Sequence, residues 1–240
     1  MLGRSFAGLV LAAVTFLAPA TAPGDTGKQA AAGRPRIVCL GDSLTEGYSL
    51  APEQAWPDLL QVALRREGWP GAVVVNAGVS GSTSASALSR LKWQLRSPPD
   101  VLILALGAND GLRGIAAEET KKNLAAAIDL AEESGIVVLL AGMKMPPNYG
   151  PEYTKQFEGT FSALAADKKI ALIPFLLEGV AGDPALNLAD GIHPNAKGYE
   201  VIAQTVERHL EPLLAELMAA PAAAPASSAA TPAPAAVAAQ

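Results

Sequence analysis

The sequence predicts an α/β domain: a three-layer sandwich whose parallel five-stranded sheet, in the flavodoxin-like order 2-1-3-4-5, carries helices on both faces. This architecture follows from the alternation of short apolar runs with longer amphipathic ones between residues 36 and 217. The short runs are continuous and rich in β-branched residues, as strands covered on both faces require. Each amphipathic stretch between them is long enough to be a crossover helix, which makes the strands parallel and the connections right-handed.

The first strand is expected at 36–40, followed by a helix near 54–67 whose apolar residues recur every three or four positions. Residues 72–76 and 83–96 repeat the unit, as do 101–106 with 117–134 and 136–141 with 152–168. The fifth unit pairs a strand at 170–174 with a helix at 195–217.

Composition limits what such a domain does. The 240-residue chain is 50% hydrophobic but only 5% aromatic, and alanine at both ends inflates the first figure. Setting aside about 35 residues at the start and about 22 at the end leaves roughly 180, enough for one core and too few for a second domain. Eighteen Lys and Arg stand against 23 Asp and Glu, a net charge of −5 with no basic block, so nucleic acid is not an expected partner. One cysteine cannot form an internal disulfide, and with two histidines it makes no zinc-binding cluster, so no metal is expected.

Both ends read as segments outside the domain. Arg4 precedes an apolar stretch from Phe6 to Leu17 and the small residues Ala18 and Ala20, the pattern of a signal peptide over residues 1–20. Its apolar core of about a dozen residues is shorter than the roughly 20 that span a bilayer. Residues 21–35 read as a flexible leader. The 218–240 segment is an Ala/Pro-rich tail with no large side chain to offset its ordering entropy, and it reads as disordered. Export to the periplasm or beyond is expected, with no integral span after cleavage.

In a doubly wound sheet the ligand sits outside the carboxyl ends of the strands. The first strand is followed there by Gly41-Asp42-Ser43-Leu44, the second by Asn76-Ala77-Gly78-Val79-Ser80-Gly81, and the third by Gly107-Ala108-Asn109-Asp110. Asp190-Gly191-Ile192-His193 precedes the last helix. Across this three-residue step the Asp190 carboxylate reaches one imidazole nitrogen of His193, leaving the other to accept a proton from a hydroxyl. His209, inside the final helix, reads as a solvated face residue, so His193 is the base candidate.

In identity, order and spacing these four blocks resemble the GDSL or SGNH hydrolases over about residues 36–217. Asn109-Asp110-Gly111-Leu112-Arg113-Gly114 and Pro147-Asn148-Tyr149-Gly150 are similar to the secreted bacterial thioesterase I/protease I/lysophospholipase L1 (arylesterase) branch. The resemblance implies Ser43 as nucleophile, His193 as base and then acid, and Asp190 as the group that orients His193. It also implies an oxyanion hole from the Ser43 and Gly81 backbone N–H groups and the Asn109 amide. Thr45-Glu46 and Ala108 depart from the branch without removing a reacting group, and Glu46 would change the rim of the site.

The implied activity is a serine esterase acting on small-molecule carboxylic esters and thioesters, including aryl esters, acyl-CoA and lysophospholipids, with no cofactor. Met145, Pro146, Tyr149 and Ile192 are candidates for binding the acyl chain, with core filling the alternative for the methionines. An acetyl esterase for acetylated carbohydrate and a catalytically silent binding relative are the competing functions. A nucleotide-binding domain is disfavoured, because no Gly-x-Gly-x-x-Gly or Gly-Lys-Ser/Thr loop follows the first strand. Cys39 reads as an inert buried thiol, Asp42 and Asp110 as turn and cap groups, and Trp56, Trp69 and Trp93 as core packing.

Overall fold

A computed structural model of the protein describes residues 34–219. The expected signal peptide, nearly all of the leader and all but two residues of the tail lie outside the described residues. Strand β1 (Arg36–Gly41) is central, flanked by β2 (Val73–Gly78) and β3 (Val101–Ala105). Beyond β3 lie β4 (Val137–Ala141) and β5 (Ala171–Ile173), all parallel, in the order 2-1-3-4-5.

Helices α2 (Trp56–Arg66) and α7 (Ala196–Ala219) pack together on one face of the sheet. On the other face α5 (Ala117–Glu133) packs between α3 (Ala87–Gln94) and α6 (Pro151–Lys168). The core between these layers contains Ile37 to Leu40 of β1, Leu102 to Leu104 of β3, Trp56, Phe157, Phe161 and Tyr199, all buried. Burying an aliphatic or aromatic side chain contributes about 1.5–3 kcal/mol, so the two central strands supply much of the driving force for folding. Among the described residues no helix is long and apolar enough to cross a membrane.

Three local expectations need correction. Strand β2 is half-exposed along its length, with Val73 46% exposed, because it forms one edge of the sheet and lacks a neighbour beyond it. Trp93 is 65% exposed instead of packing in the core, and the Arg96 guanidinium lies 4.4 Å from its ring centroid. The segments after the first and third strands are short helices, α1 (Ser43–Glu46) and α4 (Ala108–Leu112). Neither completes two turns, so neither displays the periodicity by which helices are read from sequence.

Helix α1 lies directly on the end of β2. A Cβ at Gly78 would stand 2.1 Å from the Glu46 nitrogen and 2.5 Å from its Cα, both backbone atoms that cannot swing aside. Gly78→Ala is therefore expected to push α1 off the sheet, lowering stability in urea unfolding by about 1–3 kcal/mol, the usual cost of overpacking. A wild-type midpoint would show that the two backbones are not in obligatory contact.

Candidate active site

Parallel register brings the ends of three strands level, with Gly41 paired to both Gly78 and Ala105. The segments leaving β1, β2 and β3 therefore emerge side by side. At the first of them the chain turns from strand to helix within two residues. A Cβ on Gly41 would meet the Thr45 Oγ1 at 1.9 Å, so only glycine fits beneath the new turn. Asp42 caps α1 by accepting a hydrogen bond from the Leu44 N–H at 3.0 Å. Ser43 is the first residue of the helix, and its carbonyl accepts from the Gly47 and Tyr48 N–H groups and, at 3.3 Å, from the Tyr199 hydroxyl. Burial, then the charges of Asp42 and Glu46, push the Tyr199 phenol up, so it remains a donor.

The fourth segment reaches this point from the far end of the chain. Residues 182–195 fold back over the sheet, closed by an antiparallel bridge between Asn187 and Pro194 and by the Leu188 N–H donating to the His193 carbonyl at 2.7 Å. The His193 Nε2 then lies 2.9 Å from the Ser43 Oγ, and its Nδ1 lies 2.8 Å from the Asp190 Oδ2. The other oxygen of Asp190 accepts from the backbone N–H groups of Ile192 and His193, both at 2.9 Å. These backbone bonds and the imidazole hold the Asp190 carboxyl down at about 2. An ionised carboxylate can only accept, so the Nδ1 carries the proton and the Nε2 presents its lone pair to the hydroxyl. The Tyr48 ring, which sequence gave no reason to single out, covers the imidazole with centroids 4.4 Å apart. His209 lies outside the site, its Nδ1 2.8 Å from the Thr205 carbonyl.

In the segments that follow β1, β2 and β3 three N–H groups remain available among the described residues. The Ser43 and Gly81 backbone N–H groups donate to nothing among the described residues. The Asn109 Nδ2 gives one hydrogen to the Ser82 carbonyl at 3.0 Å, leaving its second uncommitted. Gly81 adopts φ +75°, in the region that favours glycine, and Arg113 holds its carbonyl at 3.0 Å. Asp110 is more than a local turn residue. Buried in α4, it accepts from the Ser84 N–H at 2.8 Å and from the Ser84 hydroxyl, and so ties the loop after β2 to the helix after β3.

A cavity of about 430 Å³ is lined by Leu44, the residue after Ser43, by Ile192, the residue before His193, and by Met143, Met145 and Pro146 among others. Met145 packs so closely on α4 that a Cβ at Gly111 would strike its sulfur at 2.2 Å. Tyr149 does not line this cavity. Its hydroxyl donates to the Leu112 carbonyl at 3.1 Å, which anchors the rim. Cys39 is buried in β1, and burial pushes its thiol up.

The model of the GDSL-like lipase/acylhydrolase family matches residues 39–201 of this chain. Esterase TesA of Pseudomonas aeruginosa is 43% identical over 179 residues, covering 74% of this chain and 89% of that protein. Thioesterase 1/protease 1/lysophospholipase L1 of Escherichia coli K12 is 35% identical over 186 residues, covering 77% and 87% respectively. Among solved structures, the psychrotrophic esterase EstA from Pseudoalteromonas sp., inhibited by monoethylphosphonate, superimposes with a TM-score of 0.71 at 34% identity. That alignment covers 75% of this chain and 99% of EstA.

Asp42 gives the site a pH signature of its own. Burial pushes its carboxyl up from 3.8 to about 6, against the lowering effects of the Leu44 N–H and of nearby His193 and Arg90. Its Oδ2 is buried without a hydrogen-bond partner among the described residues. At about pH 4 the folded chain holds a proton that the unfolded chain partly releases, so this group adds stability there and loses that contribution as pH rises through about 6. In Asp42→Asn that loss is absent, and the variant should gain about 2 kcal/mol relative to wild type between about pH 4 and about pH 7.5. Urea unfolding at both pH values measures it. The cost of burying the new amide is independent of pH and cancels, so a constant offset would mean that Asp42 titrates normally.

Proposed function

This chain belongs to the GDSL-like lipase/acylhydrolase family, and from that membership we propose that it is a serine esterase that hydrolyses carboxylic esters and thioesters through an acyl-enzyme on Ser43. The observation that carries this reading is the series Asp190–His193–Ser43, with a contact of 2.8 Å between Asp190 and His193 and one of 2.9 Å between His193 and Ser43, 150 positions apart. The Nε2 of His193 takes the hydroxyl proton as the Ser43 Oγ attacks the acyl carbon, and the charge developing on the carbonyl oxygen is met by the Ser43 and Gly81 N–H groups and the Asn109 amide. Fixed donors aimed at that oxygen need no reorganisation during the reaction, which is why they lower the barrier more than water does. The imidazolium then protonates the leaving alcohol or thiol. In the second half-reaction His193 takes a proton from water, which attacks the acyl-serine and restores the free enzyme.

The cavity of about 430 Å³ lined by Leu44 and Ile192 takes the acyl chain. Its thioether and aliphatic walls offer adaptable, non-directional contact, which suits chains of varied length. Aryl esters, acyl-CoA thioesters and lysophospholipids are the proposed substrates, a range supported by the thioesterase and lysophospholipase activities named for the E. coli relative. The segment at 1–20 supports export to the periplasm or beyond.

The decisive test is a panel of nitrophenyl esters from acetyl to palmitoyl, acyl-CoA and lysophospholipid, run on wild type and Ser43→Ala side by side. Wild type should turn over several members and Ser43→Ala none, whereas activity confined to an acetylated sugar added to the same panel would overturn the acyl-chain assignment. Asn109→Ala is expected to lower kcat by about 10²- to 10³-fold, the loss typical of one oxyanion donor. A change below about threefold would remove Asn109 from that role.

A further inference from the structure

Helix α1 carries two polar side chains of consequence three residues apart, hence on one face. One is Ser43. The other is Glu46, whose side chain crosses to the turn after β2, where its Oε2 accepts from the Ser80 N–H at 2.8 Å and from the Ser80 hydroxyl. Hydrogen bonds to an ionised acceptor are roughly twice as strong as neutral ones, and here both converge on one residue. The backbone of Glu46 joins the same junction: its carbonyl accepts from the Asn76 Nδ2 at 3.3 Å, while the Asn76 Oδ1 accepts from the Gly78 N–H at 3.0 Å.

Ser80 immediately precedes Gly81. The Gly81 N–H lies in the very next peptide unit, so once Ser80 is held by its N–H and its hydroxyl only the Ser80 φ and ψ separate that anchor from the donor. The turn has other anchors, from the Val79 N–H to the Gly41 carbonyl at 3.1 Å and from Arg113 to the Gly81 carbonyl at 3.0 Å. Among the described residues Glu46 is the one that hydrogen-bonds Ser80 itself, and it does so from the helix that also presents Ser43.

We propose that Glu46 is a positioning residue of the oxyanion site, locking Ser80, the residue that precedes the Gly81 donor, to the helical turn that carries Ser43 so that attacking oxygen and oxyanion donor keep one geometry. This rests on the assignment of Ser43 and Gly81 made above. A displacement of about 1 Å at a reacting centre costs on the order of 10²-fold, and complete loss of one donor about 10²- to 10³-fold. A turn that is loosened but still tethered at Val79 and Gly81 should lose less.

The test uses the full chain with a short nitrophenyl ester, comparing wild type, Glu46→Ala, Glu46→Gln and Ser43→Ala. Glu46→Ala should lower kcat by about tenfold with KM within about twofold of wild type, because a donor aimed at the oxyanion acts on the transition state rather than on substrate binding. Glu46→Gln keeps an oxygen that accepts from the Ser80 N–H and should recover to within about threefold of wild type. Labelling by a fluorophosphonate, which also builds negative charge on oxygen at that position, should slow in Glu46→Ala by the same factor as kcat. The proposal is overturned if Glu46→Ala retains wild-type kcat while Ser43→Ala is inactive. It is equally overturned if Glu46→Gln loses as much as Glu46→Ala with a matching fall in melting temperature, since that pattern marks a merely structural contact. Activity retained by Ser43→Ala would instead overturn the reading on which it rests.

Discussion

The constraint on which this molecule depends is the placement of β1 between β2 and β3 with their carboxyl ends level. Each of the three strands is followed by a segment that cannot stray far from its strand end: α1 after β1, a tight turn after β2 and α4 after β3. Parallel neighbours lie about 4.8 Å apart, so groups displayed within a few residues of those ends fall within one substrate's width of each other. No long-range search by flexible loops is needed to gather Ser43, Gly81 and Asn109. The sheet gathers them, and buried apolar residues in the two central strands hold it together.

His193 is the exception, since its loop follows the sheet's far edge and must return across it. Two features make that return rigid. The segment from Asn187 to Pro194 closes on itself through a bridge, and Asp190 spends one oxygen on the backbone N–H groups of the next residues while offering the other to the imidazole. The carboxylate thus fixes both the shape of the turn and the tautomer of the ring. Tyr199, on the helix that follows, adds a hydroxyl contact to the Ser43 carbonyl, so the base-bearing segment and the nucleophile are tied by a second route.

What was legible from sequence follows from range. Strands such as Val101–Ala105 and helices such as Ala117–Glu133 announce themselves through runs and periodicities that need only local information. The grouping of Ser43, Asp190 and His193 was legible because each lies in a short distinctive block and the sheet topology was itself readable. The contacts of Asp110 were not, since they go to Ser84 and Thr120, and no local pattern links an acid in one helix to a serine 26 positions earlier. Tyr48 is not legible because an aromatic after a glycine turn has no signature of packing on a histidine. Trp93 is exposed where its helical spacing suggests core, because spacing alone does not say which face of α3 meets the sheet. The position of Tyr149 after β4 points to the acyl site, but its hydroxyl is engaged by the Leu112 carbonyl and it does not line the cavity.

Helix α4 links the two halves of the proposed site. One side of it carries Asn109, whose amide reaches the turn after β2, and another receives the sulfur of Met145 in the space left by the missing side chain of Gly111. Tyr149 and Tyr153 add hydroxyl bonds to the Leu112 and Ile115 carbonyls at the end of this helix, while Ala108 and Leu112 of the helix itself line the cavity. A chain bound in that cavity would press on a five-residue helix with little internal hydrogen bonding of its own. Buried Asp110 resists the movement through its bonds to Ser84. If the cavity holds acyl chains as proposed, tolerance of varied chains and constancy of the Asn109 donor make opposing demands on α4, and the Asp110–Ser84 contact braces the side that carries Asn109.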